Sequence, residues 1–392
     1  MSGQNNNLGK VTSQEMNESE MGYRGSKSEF NPSVKEQRVD GSYCIQASTK
    51  LMQLRCTLMG FERNYLVKIP SNQLNKSFFS TASATPKGMG SVDKTVLNPY
   101  FVTGFSDAEA SFSVTIYKNN KSTTGYRVRP FFVIGLNKKD SFILTQLQEF
   151  FGGIGTLRID KKANAVRYSV ESITDLTTFV IPHFKKYPLI TQKAADFLLF
   201  YQIVELMNKG EHLTHEGLLQ IINIKASLNL GISDSIKSEF SLIKPVERAF
   251  IQTTNIPDPN WISGFVSGEG NFDAGIRKST NTRGPRVYLR FRITQHSRDL
   301  HLMELIIKYL GAGRIEHDSR HPTVNLVVGN IPDLTQIIIP FFNKYPILGI
   351  KILDSQDWCK IANLITSGSH LTKEGFENIQ QLESGMNKGR KK

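Results

Sequence analysis

Apolar and polar positions follow the same order twice along the chain. Each copy opens on a helix, over about 98–109 and about 258–269, where small and apolar residues run unbroken up to a carboxylate. Asn98 before Pro99 and Asp258 before Pro259 suit an N-cap followed by proline in the first turn. The period then switches to two. Phe112, Val114 and Ile116 alternate with Ser111, Ser113 and Thr115, which reads as a strand with one buried face. In the second copy the next strand is sharply two-faced. Val287, Leu289, Phe291 and Ile293 point one way, and Arg286, Tyr288, Arg290, Arg292 and Thr294 the other. A helix, a glycine-marked hairpin (Gly152, Gly153 and Gly155; Gly311 and Gly313) and further helices complete each copy. The order αββαββα predicts an α+β fold of two pseudo-symmetric repeats. Each repeat would be a four-stranded antiparallel sheet with helices on one face.

The duplication is legible residue by residue. At an almost constant offset, Glu109 matches Glu269, Lys139-Asp140 matches Arg298-Asp299, and Gly155 matches Gly313. Tyr187-Pro188 matches Tyr345-Pro346, Lys193 matches Lys351, and His212-Leu-Thr matches His370-Leu-Thr. The expected organisation is an N-terminal repeat over 96–230, a linker over 231–257 and a C-terminal repeat over 258–392. Residues 1–95 are rich in Ser, Asn, Gln and Lys without sustained periodicity, so they read as a disordered or processed extension. A cut near FFSTASA (78–84) would remove them.

Composition narrows the partner. The chain has 392 residues, a hydrophobic content of 39% and a formal net charge of +13; its pI is about 9.5. That balance favours a polyanion, either nucleic acid or an anionic membrane surface. Cys44, Cys56 and Cys359 form no CxxC pair, which speaks against zinc and a disulfide framework. No apolar run is long enough for a membrane-spanning helix, and the acidic start of the chain resembles neither a secretory signal nor a transit peptide.

The arginine strand carries the first functional expectation. A polar sheet face is usually just solvated, but this one alternates Arg with Tyr and Thr and shows no acid along the strand to balance it. Guanidinium groups fork onto phosphate and onto guanine, and a two-stranded ribbon fits the major groove. The first copy is less basic there, with Arg127, Arg129, Phe131 and Val133, so the two halves would read different half-sites. The second expectation concerns the helices. Gly104 and Gly264 precede Ala108 and Gly268 by one turn, which lets two helix backbones approach closely. Pairing through that face would bring Glu109 and Glu269 side by side. Two adjacent carboxylates repel unless compensated, and Mg²⁺ with water and phosphate oxygens is the usual compensation.

The stretches VTGFSDAEA (102–110) and ISGFVSGEG (262–270) resemble the two motifs of single-chain LAGLIDADG homing endonucleases. The likeness is to the intron-encoded enzymes of fungal mitochondria, and it extends to YPLITQK, YPILGIK, EHLTHEGL, ITQH and MNKGR. The resemblance implies a monomer that cuts both strands of a DNA site of roughly 20 base pairs, about two helical turns. It implies short 3′ overhangs, two or three Mg²⁺ ions at the repeat interface, and action in the mitochondrial matrix without a membrane.

By the same resemblance, Glu109 and Glu269 are the metal acids, and the main-chain carbonyls of Ala108 and Gly268 face the metals. Gln295 would place water, with Leu136 as its unlike counterpart. Lys193 and Lys351 would orient water or stabilise charge on the scissile phosphate. Ser113, Thr115, Arg127, Arg129, Arg277, Arg286, Tyr288, Arg290, Arg292 and Thr294 would meet DNA. Asp107, matched by Ser267, is expected to have a structural helix-end role. Ala110 departs from the family's glycine, present as Gly270. It is either tolerated or misplaces Glu109 and weakens cleavage of one strand. MGYRGSKS, VKEQRVDGSY and LRCTLMGFERNYLVKIPS resemble leader segments ahead of such domains. Family members also include maturases that bind their own intron RNA and aid group I splicing. A maturase without cleavage is therefore the alternative, and a DNA-binding repressor on the same scaffold is a third reading.

Overall fold

A computed structural model describes residues 96–277, 286–387 and Arg390. The expected N-terminal extension, residues 1–95, and residues 278–285 therefore fall outside the described residues. In the first half, α1 (Pro99–Glu109) leads into β1 (Ala110–Lys118) and β2 (Tyr126–Asn137). Then follow α2 (Ser141–Phe150), β3 (Thr156–Asp160), β4 (Ala165–Val170), α3 (Ile181–Lys186), α4 (Lys193–Asn208) and α5 (His215–Ala226). The connecting segment carries a short α6 (Asp234–Glu239). The second half repeats the series as α7 (Pro259–Glu269), β5 (Gly270–Arg277), β6 (Arg286–His296) and α8 (Leu300–Leu310). It continues with β7 (Arg314–His317), β8 (Thr323–Val328), α9 (Ile339–Lys344), α10 (Lys351–Thr366) and α11 (Lys373–Ser384).

The sheets have equivalent orders, β1-β2-β4-β3 and β5-β6-β8-β7, with all neighbours antiparallel. The α+β expectation of two like repeats thus holds. Each sheet buries one face under its own helices. Phe112 sits at the centre of the first core, ringed by Phe132, Phe184, Phe197 and Phe200 at centroid distances of 5.2–5.5 Å. Phe272 takes the same place in the second, against Phe291, Phe342 and Trp358. Ring edges meeting ring faces at these distances add to the apolar burial.

Helix starts follow the sequence. Asn98 accepts from the Tyr100 amide and Asp258 from the Asn260 amide, with proline in the first turn of each helix. Each half is also closed by an asparagine in the left-handed region, Asn229 (φ 51°) and Asn387 (φ 52°). Asn229 donates through Nδ2 to the Phe112 carbonyl and through its amide to Asp196. Asn387 does the same to the Phe272 carbonyl and Asp354. A strand carbonyl, a helix carboxylate and the chain's return are tied together identically in both repeats.

Candidate active site

The motif helices α1 and α7 cross at their glycines. A Cβ on Gly104 would lie 2.0 Å from the Trp261 carbonyl oxygen, and one on Gly264 would lie 2.1 Å from that of Phe101. Only hydrogen fits, so the two backbones touch. The contact is reciprocal, as a pseudo-two-fold axis requires. One turn further on, a Cβ on Gly268 would meet Ala108 Cβ at 2.4 Å and the Glu109 carboxylate Oε1 at 3.1 Å. Glu109 of one repeat therefore packs on the backbone beside Glu269 of the other.

Both lysines reach this place. Lys193 Nζ donates to the Ser106 carbonyl at 3.1 Å. Lys351 Nζ donates to the carbonyls of Val266 (3.2 Å) and Gly268 (2.6 Å). The Ser106 and Val266 carbonyls already accept the amides of Ala110 and Gly270, so there the ammonium uses a second lone pair, and the negative end of the helix dipole favours it. The Gly268 carbonyl that accepts from Lys351 retains a second lone pair for another partner.

Asp107 is a structural residue. Its buried carboxylate accepts from the amides of Ile190 (3.0 Å) and Thr191 (3.3 Å), from Thr191 Oγ1 (2.6 Å) and from Trp261 Nε1 of the other motif helix (2.8 Å). Burial pushes its carboxyl up to about 6, against these donors and the nearby Lys193 charge. Its counterpart Ser267 does a lesser version of the same work, accepting from the Leu348 amide at 3.0 Å. Each residue fixes the turn that precedes the lysine of its own repeat.

Ala110 is accommodated. The helix-ending residues have ordinary extended backbone, Ala110 at φ −80°, ψ 156° and Gly270 at φ −69°, ψ 152°. Glycine's access to positive φ is not used. What separates them is the residue one turn earlier. A Cβ on Gly270 would strike Val266 Cγ1 at 2.4 Å and approach the Val266 carbonyl oxygen at 2.7 Å. In the first repeat that position is Ser106, which has no branched methyl, and the Ala110 Cβ fits. The expectation that Ala110 displaces Glu109 finds no backbone distortion to support it.

The helix-free faces carry the expected residues: Thr115, Arg127 and Arg129 in one sheet, and Arg277, Arg286, Tyr288, Arg290, Arg292 and Thr294 in the other. Ser113 shares that face but is nearly buried, its hydroxyl bonded to that of Ser111 at 2.8 Å. The absence of balancing acids does not hold. Arg290 forks onto Asp273, directly opposite on β5, at 2.6 and 3.2 Å. Arg129 pairs with Glu171, and Arg314 with Glu316. Asp273 is on the neighbouring strand and Glu171 directly follows β4, where alternation along the arginine strand cannot reveal them; Glu316 shares β7 with Arg314. Tyr288 is stacked between Arg277 (4.8 Å) and Arg290 (4.9 Å). The pairs Arg158–Arg167 and Arg277–Arg286 stand directly across their strands. Like charges so placed are unfavourable on their own and favourable against a polyanion. Arg158 and Arg167 were not singled out from sequence, although each alternates with Leu157, Ile159, Val166 and Tyr168 on short strands. Gln295 lies on the opposite face of β6 from Thr294, across from Val324 and toward the helix layer, as its counterpart Leu136 does.

Glu109, Glu269 and the carbonyls of Ala108 and Gly268 are all hard oxygen donors. Among the described residues no cluster of three or more His, Cys, Asp or Glu side chains is formed. A divalent cation here would take few carboxylates and leave positions for water and phosphate, which is the coordination Mg²⁺ favours. Fold and site together define a single-chain DNA endonuclease built on a pseudo-two-fold axis. Among known proteins, a family model described as LAGLIDADG endonuclease matches residues 102–204 and 262–362. "Probable intron-encoded endonuclease 3" of Neurospora crassa is 46% identical over 400 residues, covering 97% of this chain and 73% of that protein. An "uncharacterized 50.9 kDa protein in ND4 intron 1" of Podospora anserina is 36% identical over 190 residues, 46% of this chain and 41% of its own. The solved structure of I-SmaMI bound to uncleaved DNA target with calcium ions superposes at a TM-score of 0.73. It is 46% identical and covers 75% of this chain and 100% of that one. The chain belongs to the LAGLIDADG endonuclease family.

Proposed function

We propose that this chain is a site-specific homing endonuclease. It would make a double-strand break in a DNA site of roughly 20 base pairs, about two helical turns, and so promote mobility of its own intron. The single observation that carries this reading is the packing of Glu109 on Gly268, one residue from Glu269, at the touching ends of two motif helices. A pure RNA binder has no need of two acids brought together in this way. Bound at Glu109 and Glu269, with the carbonyls of Ala108 and Gly268, two or three Mg²⁺ ions would lower the pKa of water and neutralise charge on the leaving oxygen. The chain's own groups do the remainder. Lys193 and Lys351 hold the carbonyls at the helix ends and present ammonium groups to the scissile phosphates. Gln295 positions water on one side only, since Leu136 cannot. The stacked Arg277-Tyr288-Arg290 array and the arginines of the first sheet grip and read the duplex.

The protein acts as a monomer on double-stranded DNA, each repeat serving one strand and leaving short 3′ overhangs. Its domains are the repeats at 96–230 and 258–392, joined by 231–257. An intron-encoded relative and another from an ND4 intron support a place in the mitochondrial matrix. The test is cleavage by the full chain of plasmids carrying intronless mitochondrial gene junctions, in Mg²⁺, Ca²⁺ or EDTA. A linear product at one junction in Mg²⁺ only, with Glu109→Gln and Glu269→Gln each abolishing linearisation, is expected. No cut at any junction, with tight binding to intron RNA instead, would replace this reading with the maturase.

A further inference from the structure

The turns that end on Lys193 and Lys351 are held from two sides. Asp107 and Ser267 secure them from within their own repeats. The second hold comes from across the molecule. Asp140, in the N-terminal repeat, accepts through Oδ1 from the amide of Ile350, the residue that opens α10 and precedes Lys351, at 2.7 Å. Asp299, in the C-terminal repeat, accepts through Oδ1 from the amide of Gln192, which opens α4 and precedes Lys193, at 2.8 Å. The two aspartates are equivalent positions of the duplication, and the two bonds are related by rotation about the pseudo-two-fold axis. A carboxylate at the first free amides of a helix is favoured by the unmet donors and by the helix dipole. The fit is close. A Cβ on Gly349, which has φ 87°, would lie 2.6 Å from Asp140 Oδ1. Asp299 is nearly fully buried. Each aspartate also lies within electrostatic reach of the lysine that follows its bond, Asp140 of Lys351 and Asp299 of Lys193.

We propose that Asp140 and Asp299 are crossed positioning residues: each repeat sets the active-site lysine of the other repeat. The inference rests on the proposed role of Lys193 and Lys351 in cleavage. Its consequence is particular to a two-repeat chain. Damage to one aspartate should impair the strand served by the lysine of the opposite half. Each lysine is then fully positioned only when the other repeat is docked on it. The halves are not equally dependent. Gln192 is additionally paired with the linker, its Nε2 donating to the Ile251 carbonyl at 2.7 Å and its Oε1 accepting from the Ile251 amide at 3.2 Å. No such side-chain pairing is available to Ile350, so Asp140 should matter more than Asp299.

The test uses the full chain, a supercoiled plasmid bearing its cleaved junction, and end-labelled DNA that reports each strand separately. The variants are Asp140→Ala, Asp299→Ala, Lys351→Met and Lys193→Met. The expected result is a nicked product from Asp140→Ala, with one strand slowed about 10- to 100-fold. That strand should be the one slowed by Lys351→Met and spared by Lys193→Met. Asp299→Ala should give the complementary pattern more weakly. Asp140→Asn keeps an oxygen acceptor at the Ile350 amide and should restore most of the loss, while DNA affinity in Ca²⁺ stays the same throughout. Equal slowing of both strands, or a strand match to the lysine of the same repeat, would overturn the proposal. If Asp140→Ala does not fold, Asp140→Glu, which keeps the charge but moves the acceptor, carries the same comparison. If the wild-type chain cuts no junction, the endonuclease reading fails by itself. The crossed hold is then read from reductive methylation of the lysines by mass spectrometry. A change at Lys351 and not at Lys193 in Asp140→Ala supports it, and equal change at both refutes it.

Discussion

Ala110 and Gly270 end equivalent helices with nearly the same backbone, and Ser106 and Val266 explain how. The perturbation that tests this is the transfer of the first repeat's pair into the second. In Gly270→Ala the new Cβ meets Val266 Cγ1 at 2.4 Å. Carbon atoms rest at about 3.5–4.0 Å, so the overlap exceeds 1 Å. Val266 is fully buried and cannot swing into solvent. Overpacking of this kind costs about 1–3 kcal/mol. Val266→Ser alone removes buried methyl groups and leaves space, at about 2 kcal/mol. The double variant recreates the arrangement around Ala110, where the Ser106 hydroxyl is itself buried without a hydrogen-bond partner. It keeps the loss of the valine and sheds the overlap with the methyl, leaving the 2.7 Å approach to the residue-266 carbonyl oxygen. A double-mutant cycle from urea unfolding should therefore give a favourable coupling of about 1–2 kcal/mol. Nicking assays run in parallel should show the Glu269 strand slowed by Gly270→Ala and recovered in the double variant. Additivity within about 0.5 kcal/mol would rule out the Val266 contact and restore glycine's backbone freedom as the explanation.

Gly104→Ala or Gly264→Ala places a Cβ about 2 Å from a backbone carbonyl that cannot move aside. Each should cost about 3 kcal/mol or more in urea unfolding and slow both strands about 100-fold by parting the acids; a loss below about 0.5 kcal/mol would contradict the contact. Arg277→Ala and Arg286→Ala should each lower the slope of log affinity against log salt by about 1 in filter binding, while leaving stability unchanged or slightly higher because a like-charge pair is relieved. For Asp107 the folded-state pKa, about 6, is above the ordinary 3.8. Its contribution to stability is therefore fully present below pH 3.8 and lost as pH rises through 6. The stability of wild type minus that of Asp107→Asn should fall by about 3 kcal/mol over that window, and a flat difference between pH 4 and 7 would rule the titration out.

What the sequence determined by itself was everything local or repeated. Caps at Asn98 and Asp258, the two-faced strand from Arg286, and the small residues of the motif helices are each written in consecutive positions. Duplication then fixed the architecture, because whatever one copy folds into the other must also adopt. The approach of the two motif helices was legible for the same reason: two glycine-bearing helices from like repeats have one symmetrical way to meet.

Contacts between residues far apart in the chain set the rest. The acids that engage Arg129 and Arg290 come from the end of β4 and from β5, and their placement depends on a register that composition does not specify. The tolerance of Ala110 depended on Ser106 being under it rather than on backbone freedom at the turn. Asp140 and Asp299 stood out in the sequence only as matched letters. Their bonds to the amides of Ile350 and Gln192 exist because the two repeats dock, and docking geometry is a property of packed surfaces rather than of any segment alone.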